Sequence, residues 1–368
     1  MNSRERILAA LSGGEADRVP LTEIGIWPET IRRWRAEGLP EALSPHEYFG
    51  LDRIEFFSYD ASLGLPERTI AQEGAFKTCT DSDGCTYKMA VGQVSAPQFI
   101  GSSVGSAEDW ARLKPNLRAD MRRFDSFRKD VIFGEPLAES QPARYARVRS
   151  EPLFTVLVPL EPCWYYLRLL GEVEALANIA LDPGFAGAVI ADYNSFTLGM
   201  VKLILGSGYR FDALWVFSDL CYKNGLLFSP RFYEQAVLPH QRRLFDLARE
   251  NGMKVIYHCD GNVRSFLPLV MRAGIDCIQP LEARAGNVVQ DYLRSYPGVL
   301  SFMGNVDMDA FTTTKERIRA EVTGKILSAK ASHRYLFHSD HSVPDSVSLR
   351  DYSYLIQVAK EVAGYEHP

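Results

Sequence analysis

The chain has 368 residues, a formal net charge of −5, 46% apolar residues and 24% charged residues. This balance excludes the basic footprint of a nucleic-acid-binding protein and the polybasic patch of a membrane-surface protein. The first residues carry charges and lack a long apolar core, so they do not predict a signal peptide. No membrane-spanning run of about 18 apolar residues is visible either. We therefore expect a cytoplasmic globular protein, and its six cysteines are expected to be reduced because none forms a CxxC pair.

Short runs of β-branched and aromatic residues alternate with stretches of helical apolar spacing along the chain. Helices are predicted over residues 229–251 and 314–331, each with recognisable start and stop signals or a repeating apolar face. Eight strands are predicted over residues 19–25, 53–58, 153–159, 213–219, 254–258, 276–280, 299–305 and 335–338. Eight strands that alternate with helices predict an α/β fold, specifically a (β/α)8 TIM barrel.

The segment 66–150 does not follow this alternation. Residues 68–94 predict a β-hairpin around a Ser-Asp-Gly turn, and residues 106–149 are predicted to be helical, charged and poor in apolar residues. We predict one domain over residues 1–368, with 66–150 as an insertion after strand two that packs over the barrel mouth. A separate small domain is the alternative.

Polar side chains stand where the predicted strands end. In a barrel these ends converge on one mouth, so residues distant in sequence can meet there. Taken singly, an aspartate after a strand is as often the N-cap of the next helix, and a histidine inside a strand run is more often packed than catalytic. The polar residues at the strand ends are Glu23, Asp60, Asp219, His258, Asp260, Gln279, Glu282, Asn305, Asp307, His338, Asp340 and His341.

A metal site is one hypothesis that this set supports. His258 and Asp260 are two residues apart after strand five, Glu282 follows strand six, and His341 follows strand eight. Two imidazoles with one or two carboxylates suit Zn²⁺ or another borderline divalent metal. The alternative is a metal-free cluster that works by hydrogen bonding and acid–base chemistry.

The remaining candidates would handle the substrate. Asp219 and Asn305 are predicted to orient it, and Glu23 is predicted to act as an acid or a base. Aromatic residues near strand ends would wall a pocket for a planar or apolar ligand, although such residues more often belong to the core. The predicted substrate-binding residues are Trp27, Trp164, Tyr166, Gln279 and Asp340.

Several of these segments carry a family resemblance. They are RERILAALSGGEADRVPL at the start, the stretch from DLCYKNG to HCDGN, then GIDCIQPLEARAGN, SFMGNVD and HSDHSVPDSVS. In this order they resemble the uroporphyrinogen decarboxylase superfamily, loosely over the first 60 residues and closely over about 210–350. The resemblance implies a TIM barrel with its active site at the C-terminal strand ends, and by analogy a homodimer.

Two chemistries of that superfamily are relevant. True uroporphyrinogen decarboxylases bind acidic tetrapyrroles with an arginine-rich RQAGR motif, and the corresponding stretch here, PLTEIGIWPETIRRW, lacks it. The resemblance to the methyltransferases places His258 at their zinc-binding histidine. Asp260 and His341 fall at their cysteines, and Glu282 falls near the glutamate of related methionine synthases. Replacing thiolates by harder ligands favours an oxygen substrate over a thiol.

The leading hypothesis is therefore a zinc-dependent methyltransferase that moves a methyl group between a small oxygen-bearing substrate and a separate corrinoid protein. One rival is a cofactor-free decarboxylase, whose acidic substrate would need cations such as Arg264, Arg284 and Arg350. The other rival is a barrel that binds a small ligand without turnover.

Overall fold

The computed structural model describes residues 1–91 and 97–364. The strands in chain order are β1 (Ile54–Phe57), β2 (Arg68–Glu73), β3 (Phe76–Thr80), β4 (Thr86–Ala90), β5 (Gln98–Gly101), β6 (Phe154–Leu157), β7 (Ala213–Phe217), β8 (Cys221–Tyr222), β9 (Gly225–Leu226), β10 (Lys254–His258), β11 (Cys277–Gln279), β12 (Ser301–Met303) and β13 (Tyr335–Leu336).

The α-helices are α1 (Ser3–Ser12), α2 (Pro28–Ala36), α3 (Pro45–Phe49), α4 (Ala107–Leu113), α5 (Arg122–Asp125), α6 (Gln141–Val148), α7 (Pro162–Leu170), α8 (Glu172–Leu181), α9 (Pro183–Gly206), α10 (Pro230–Phe232), α11 (Leu238–Glu250), α12 (Leu267–Met271), α13 (Val289–Ser295), α14 (Lys315–Ala329) and α15 (Leu349–Ala363). Short 3₁₀ turns occur at Lys114–Asn116, Met308–Thr312 and Lys330–Ser332.

Seven parallel strands form one curled sheet in the order β1-β6-β7-β10-β11-β12-β13, which confirms the predicted α/β barrel class. The strands are short and almost wholly buried, as expected for a parallel sheet covered by helices on its outer face. The register aligns His258 of β10 with Phe217 of β7 and with Gln279 of β11. These three neighbouring strands therefore end at the same level of the barrel.

The predicted strand 19–25 is wrong as a regular strand, although the segment occupies the gap between β13 and β1. It makes an isolated parallel bridge from Leu21 to Phe337, and the backbone N–H of Thr22 donates to the Phe337 carbonyl at 3.0 Å. On its other side the Asp52 N–H donates to the Leu21 carbonyl at 2.7 Å. Pro20 lacks an N–H, which interrupts a continuous ladder at this position.

Helix α1 closes the N-terminal end of the barrel. Its Ile7, Ala10 and Leu11 are buried in the same apolar cluster as the inward-facing side chains of the barrel strands. Ser301 of β12 donates its hydroxyl to the Ala10 carbonyl at 2.9 Å. This end is sealed, so a ligand reaches the barrel only from the opposite, C-terminal end.

The insertion contains more strands than the sequence predicted. The predicted hairpin 68–94 is three antiparallel strands, β2 to β4, and β5 adds a fourth. Its last predicted residues, 92–94, lie outside the described part of the chain. Helices α4, α5 and α6 follow, and residues 127–134, here called the cover segment, lie over the barrel mouth.

The outer helices agree well with the sequence pattern. The predicted helix 229–251 is confirmed as α10, one π-helical turn (Tyr233–Val237) and α11 in succession, and Ser229 caps its start by accepting from the Phe232 N–H at 3.2 Å. Within the described ranges, α9 is the one helix long and apolar enough to cross a membrane, but 56% of its apolar window is buried in the protein. It packs against α7 and α8, as a core helix does.

Candidate active site

A cavity of about 590 Å³ lies at the C-terminal ends of the barrel strands. Its floor contains Asp219 after β7, His258 and Asp260 at the end of β10, and Gln279 at the end of β11. His338 and His341, which follow β13, also line it. The cover segment forms part of its wall together with residues that follow β1 and β6. The mouth of the barrel thus brings together residues from most of the chain, as the fold requires.

Asp219, His258 and Asp260 form one compact group of possible metal ligands. One ligand atom from each lies within 4.8 Å of the others. His258 Nε2 is 3.3 Å from Asp219 Oδ1 and 3.8 Å from Asp260 Oδ1. The sequence predicted His258 and Asp260 as ligands but gave Asp219 only an orienting role.

A neighbouring side chain determines which nitrogen of His258 is available. Gln279 Oε1 lies 2.6 Å from His258 Nδ1, and an amide oxygen can only accept, so Nδ1 carries the proton. Nε2 is then the nitrogen that faces the two carboxylates. An imidazole whose Nδ1–H is held by an acceptor is oriented as in protein metal sites, where the other nitrogen is the ligand.

Burial and charge act in opposite directions on this group. Burial alone would lower the pKa of His258, but the carboxylates of Asp260 and Asp219 outweigh it and raise the pKa to about 9. Burial also opposes ionisation of Asp219, yet the hydrogen bond and positive charge of His258 leave the pKa of Asp219 below its usual value. The pKa of Asp260 is raised, mainly by burial. In the described part of the chain, the buried Asp260 Oδ1 has no hydrogen-bond partner.

His341 and Glu282, the other two predicted ligands, are placed differently. His341 lies at the rim, where Nε2 is 3.7 Å from Asp260 Oδ2 and Nδ1 accepts from the Ser342 N–H at 3.0 Å. Neutral His341 therefore carries its proton on Nε2 and faces Asp260 as a donor rather than as a ligand. Glu282 Oε2 accepts from the Gly261 N–H at 2.8 Å, so it braces the loop after β10 and does not join the group.

Glu23 is buried behind the cavity wall. It accepts hydrogen bonds from the hydroxyls of Ser339 at 2.7 Å and Tyr352 at 3.1 Å. Burial, the largest effect, raises the pKa of Glu23 to about 8, so the carboxyl is largely protonated at neutral pH. His338 Nε2 is 3.5 Å from Glu23 Oε1, and burial lowers the pKa of this histidine to about 4. Glu23 is thus a protonated acid that reaches the cavity only through neighbouring groups.

Residues 209–362 match the family model described as Uroporphyrinogen decarboxylase (URO-D). A curated uroporphyrinogen decarboxylase of Carboxydothermus hydrogenoformans is 32% identical over 140 residues, which are 38% of this chain and 39% of that protein. Each of these two matches covers less than half of this chain, so they show that part of the chain is similar to uroporphyrinogen decarboxylases. A solved structure, a methyltransferase from Methanosarcina mazei, superposes with a TM-score of 0.64 over 98% of this chain and 99% of that one. At 14% identity this second likeness shows the fold alone.

Two polar residues that the sequence assigned to substrate handling instead hold loops of the barrel. Asn305 Nδ2 donates to the carbonyls of Leu281 at 2.7 Å and Asn287 at 2.9 Å, while its Oδ1 accepts from Lys325 Nζ at 2.7 Å. Asp340 accepts from the N–H groups of Ala283 at 2.9 Å and Met308 at 3.0 Å. Both side chains are almost fully buried and neither lines the cavity, so their predicted roles are corrected to loop positioning.

Only part of the predicted aromatic wall faces the cavity. Trp164 lines it, but Tyr166 is fully buried beside Phe185 in the helical layer. Trp27 does not line it either; its ring packs 4.6 Å from that of Phe133 and so supports the cover segment. The predicted roles of Tyr166 and Trp27 in substrate contact are therefore corrected to packing.

The cations expected for a superfamily decarboxylase lie elsewhere. Arg264, Arg284 and Arg350 are exposed surface residues paired with Asp291, Asp309 and Asp351. Two basic side chains that sequence reasoning missed, Lys129 and Arg168, line the cavity. For Arg168 a signal existed, because it lies four residues after Trp164 in one helix and so shares a face with it.

Proposed function

We propose that this protein is a divalent-metal-dependent methyltransferase that transfers a methyl group between a small oxygen-bearing substrate and a corrinoid protein. The observation that carries the proposal is the group formed by Asp219, His258 and Asp260 on the floor of the cavity. The family-model match over residues 209–362 and a fold shared with a methyltransferase are consistent with it.

The residues present fit a metal ion. The buried Asp260 Oδ1, which lacks a hydrogen-bond partner among the described residues, needs a cation or a donor beside it. Two carboxylates and one imidazole are a nitrogen and oxygen donor set that zinc and related divalent ions accept. A bound ion would supply Lewis acidity toward a substrate oxygen. Three protein ligands leave room for that oxygen.

The chain's own residues would position the reactants. Gln279 keeps His258 in the tautomer whose Nε2 faces the carboxylates, and His341 presents its Nε2–H toward Asp260 from the rim. Trp164, Phe217 and the cover segment supply apolar walls that exclude water from around the substrate. Glu23, protonated at neutral pH, would be the proton donor for the departing oxygen, acting through the groups that lie between it and the cavity.

Metal analysis of the purified protein with matched variants tests the proposal. Wild type should retain about one Zn²⁺ or related ion per chain after dialysis, and Asp219→Asn should lose it. Glu282→Gln is the control, because the structure leaves Glu282 outside the group. Loss of metal in Glu282→Gln but not in Asp219→Asn would contradict this ligand set. Absence of metal binding in the wild type would remove the mechanism.

Decarboxylation is the second candidate, favoured by the family model and by the name of the curated relative. This chain spans 39% of that relative's length, and the missing RQAGR motif leaves the acidic side chains of a tetrapyrrole without their usual partner. Incubation with uroporphyrinogen and measurement of carbon dioxide decides between the two. Release that persists in metal-stripped protein would support the decarboxylase.

A further inference from the structure

Arg168 is a cation whose position the proposed reaction does not yet explain. It lies in α7, one turn after Trp164, and lines the candidate active-site cavity. It also lines a second cavity of about 480 Å³ that adjoins the first, where Tyr87 and Phe99 of the insertion meet the end of α7. Arg168 therefore stands on the wall that the two cavities share.

The guanidinium group of Arg168 lacks a carboxylate partner among the described residues, whereas most arginines of this protein form an ion pair. Within residues 1–91 and 97–364, no carboxylate oxygen lies within 4.0 Å of it, whereas Lys129 on the same cavity wall is 3.3 Å from Glu67. The carboxyl group whose field reaches Arg168 is that of Asp83. Asp83 forms hydrogen bonds with other groups instead, because it accepts from the Tyr165 hydroxyl and from the Leu63 N–H at 2.8 Å.

Arg168 is nevertheless held in place. Its guanidinium carbon lies 5.0 Å from the ring centroid of Trp164, so the aromatic ring supports the cation. The Tyr87 hydroxyl is a further neighbour. The residue is exposed and lines both cavities, so the edge of the guanidinium that Trp164 and Tyr87 do not cover is accessible to a ligand. A supported guanidinium with a free edge has the geometry that binds a carboxylate through two parallel hydrogen bonds.

The rest of the cavity limits what such an anion can be attached to. The lining of this cavity is mainly apolar and includes Trp164, Phe217 and Val131. A strongly polar or multiply charged ligand would lose hydration there without compensation. An apolar or aromatic skeleton with one anionic group avoids that penalty and can stack on the aromatic wall.

We propose that Arg168 is the specificity-determining residue of this site and that it binds the carboxylate of an aromatic or apolar monocarboxylic acid. The carboxylate would lie at Arg168 and Trp164, and the oxygen-bearing part of the molecule would point toward Asp219, His258 and Asp260. This inference rests on the proposed function for the reacting end, but the anion subsite is defined by Arg168 alone.

Calorimetric titration with a matched pair of probes tests the subsite. 4-Methoxybenzoate carries the anion, and 4-methoxybenzamide is its neutral counterpart. Arg168→Gln should weaken benzoate binding about 10- to 100-fold, the usual effect of losing a charge-assisted hydrogen-bonded pair, and leave amide binding within about twofold. Arg168→Lys should recover part of the affinity. Arg264→Gln, an exposed arginine paired with Asp291, is the control and should change neither value.

Three results would overturn the inference. These are no benzoate binding by the wild type at millimolar concentration, an unchanged benzoate affinity in Arg168→Gln, or an equal loss for both probes, since an equal loss indicates a structural role. If Arg168→Gln does not fold, Arg168→Lys is compared with wild type instead. The expected loss of affinity is then smaller and is again confined to the benzoate.

Repeating the titration with metal-stripped protein separates the two proposals. Arg168-dependent benzoate binding in a wild type that takes up no metal would leave this inference standing while the proposed function fails.

Discussion

Individual hydrogen bonds determine the chemistry available at the barrel mouth. His258, His338 and His341 all line the same cavity, yet their partners give them different properties. Gln279 keeps Nε2 of His258 facing the carboxylates, whereas the Ser342 N–H keeps a proton on Nε2 of His341. His338 accepts the Ile24 N–H on Nε2 at 3.1 Å and is held neutral by burial, which lowers its pKa to about 4.

Glu23 makes the stability of the protein depend on pH. Its pKa is about 8 in the folded state and near 4.5 in the unfolded chain. Below both pKa values the carboxyl is protonated in the folded and in the unfolded state, so Glu23 does not lower the free energy of unfolding. As the pH rises between them, the unfolded state releases the proton and the folded state does not, so stability falls and then levels off above the folded pKa.

Glu23→Gln should remove that dependence. The difference in unfolding free energy between the variant and wild type should grow in favour of the variant by on the order of 2–4 kcal/mol from about pH 5 to about pH 9. Any effect of the new amide that does not depend on pH cancels in this comparison. Urea denaturation at both values measures the difference. An equal difference in unfolding free energy between variant and wild type at the two pH values would contradict a buried, protonated Glu23.

Gln279 is a positioning residue in the proposed metal site. Gln279→Leu should weaken Zn²⁺ binding about 10- to 100-fold, because His258 then loses the acceptor that orients its ring. Competition with a chromogenic chelator gives the affinity. Gln290→Leu is the control, since Gln290 does not line the cavity and its amide contacts Ser328. Equal zinc affinity in Gln279→Leu and wild type would argue against His258 as a ligand in this tautomer.

At the scale of elements, α1 and the cover segment close the two ends of the barrel by different means. Helix α1 buries an apolar face in the barrel and is fastened by ion pairs. The cover segment relies on a local turn, in which Asp130 Oδ1 accepts from the N–H groups of Ile132 at 3.0 Å and Phe133 at 2.7 Å. The contact of α1 with the barrel is extensive, as expected for a sealed end. The contact of the cover segment is local, which suits the end where a ligand would enter.

Asp52 fastens α1 to the barrel wall. It accepts from Arg6 of the helix at 2.5 Å, from Arg18 at 2.7 Å and from the Leu21 N–H at 2.9 Å, and its side chain is 1% exposed. Asp52→Ala removes one of the two carboxylates that pair with Arg6, the other being Asp17, and takes the charge partner from Arg18. It should cost about 1–3 kcal/mol of unfolding free energy. Glu29→Gln, which breaks an exposed pair with Arg32, should cost at most about 0.5 kcal/mol. Chemical denaturation compares them, and similar small losses in both variants would refute the fastening role.

For the molecule as a whole, the least regular part of the barrel wall is its seam. The ladders from β1 round to β13 are continuous, but the irregular segment 20–26 joins β13 to the start of β1 through isolated hydrogen bonds. Because Glu23 lies within this segment, opening of the seam would also expose the buried acid.

Hydrogen exchange followed by mass spectrometry tests the seam. Amides of the segments 19–27 and 335–343 should exchange at least about tenfold faster than those of β10, whose residues are paired with β7 along the full strand. Protection factors of the same size in both places would show that the seam is as stable as the regular ladders.

The sequence alone predicted the fold and the end of the barrel at which the candidate site lies. Alternating strands and helices require a parallel sheet, and this places His258, Asp260, Gln279 and His341 at one mouth without any knowledge of contacts. Likewise the two-residue spacing of His258 and Asp260 puts both on one side of an extended chain.

The membership of the candidate metal-binding group depended on strand register. His258 aligns with Phe217, so Asp219 comes level with Asp260, whereas Gln279 aligns with His258 and places Glu282 one residue too far along. The chain also turns at Leu281, where φ is 57°, and carries Glu282 to the Gly261 N–H. Hydrogen-bond partners for Asn305 and Asp340 come from loops distant in sequence, so only the folded chain shows that these side chains are already occupied. Periodicity is a local property that the sequence carries by itself, whereas register and hydrogen-bond satisfaction are settled when distant segments pack together.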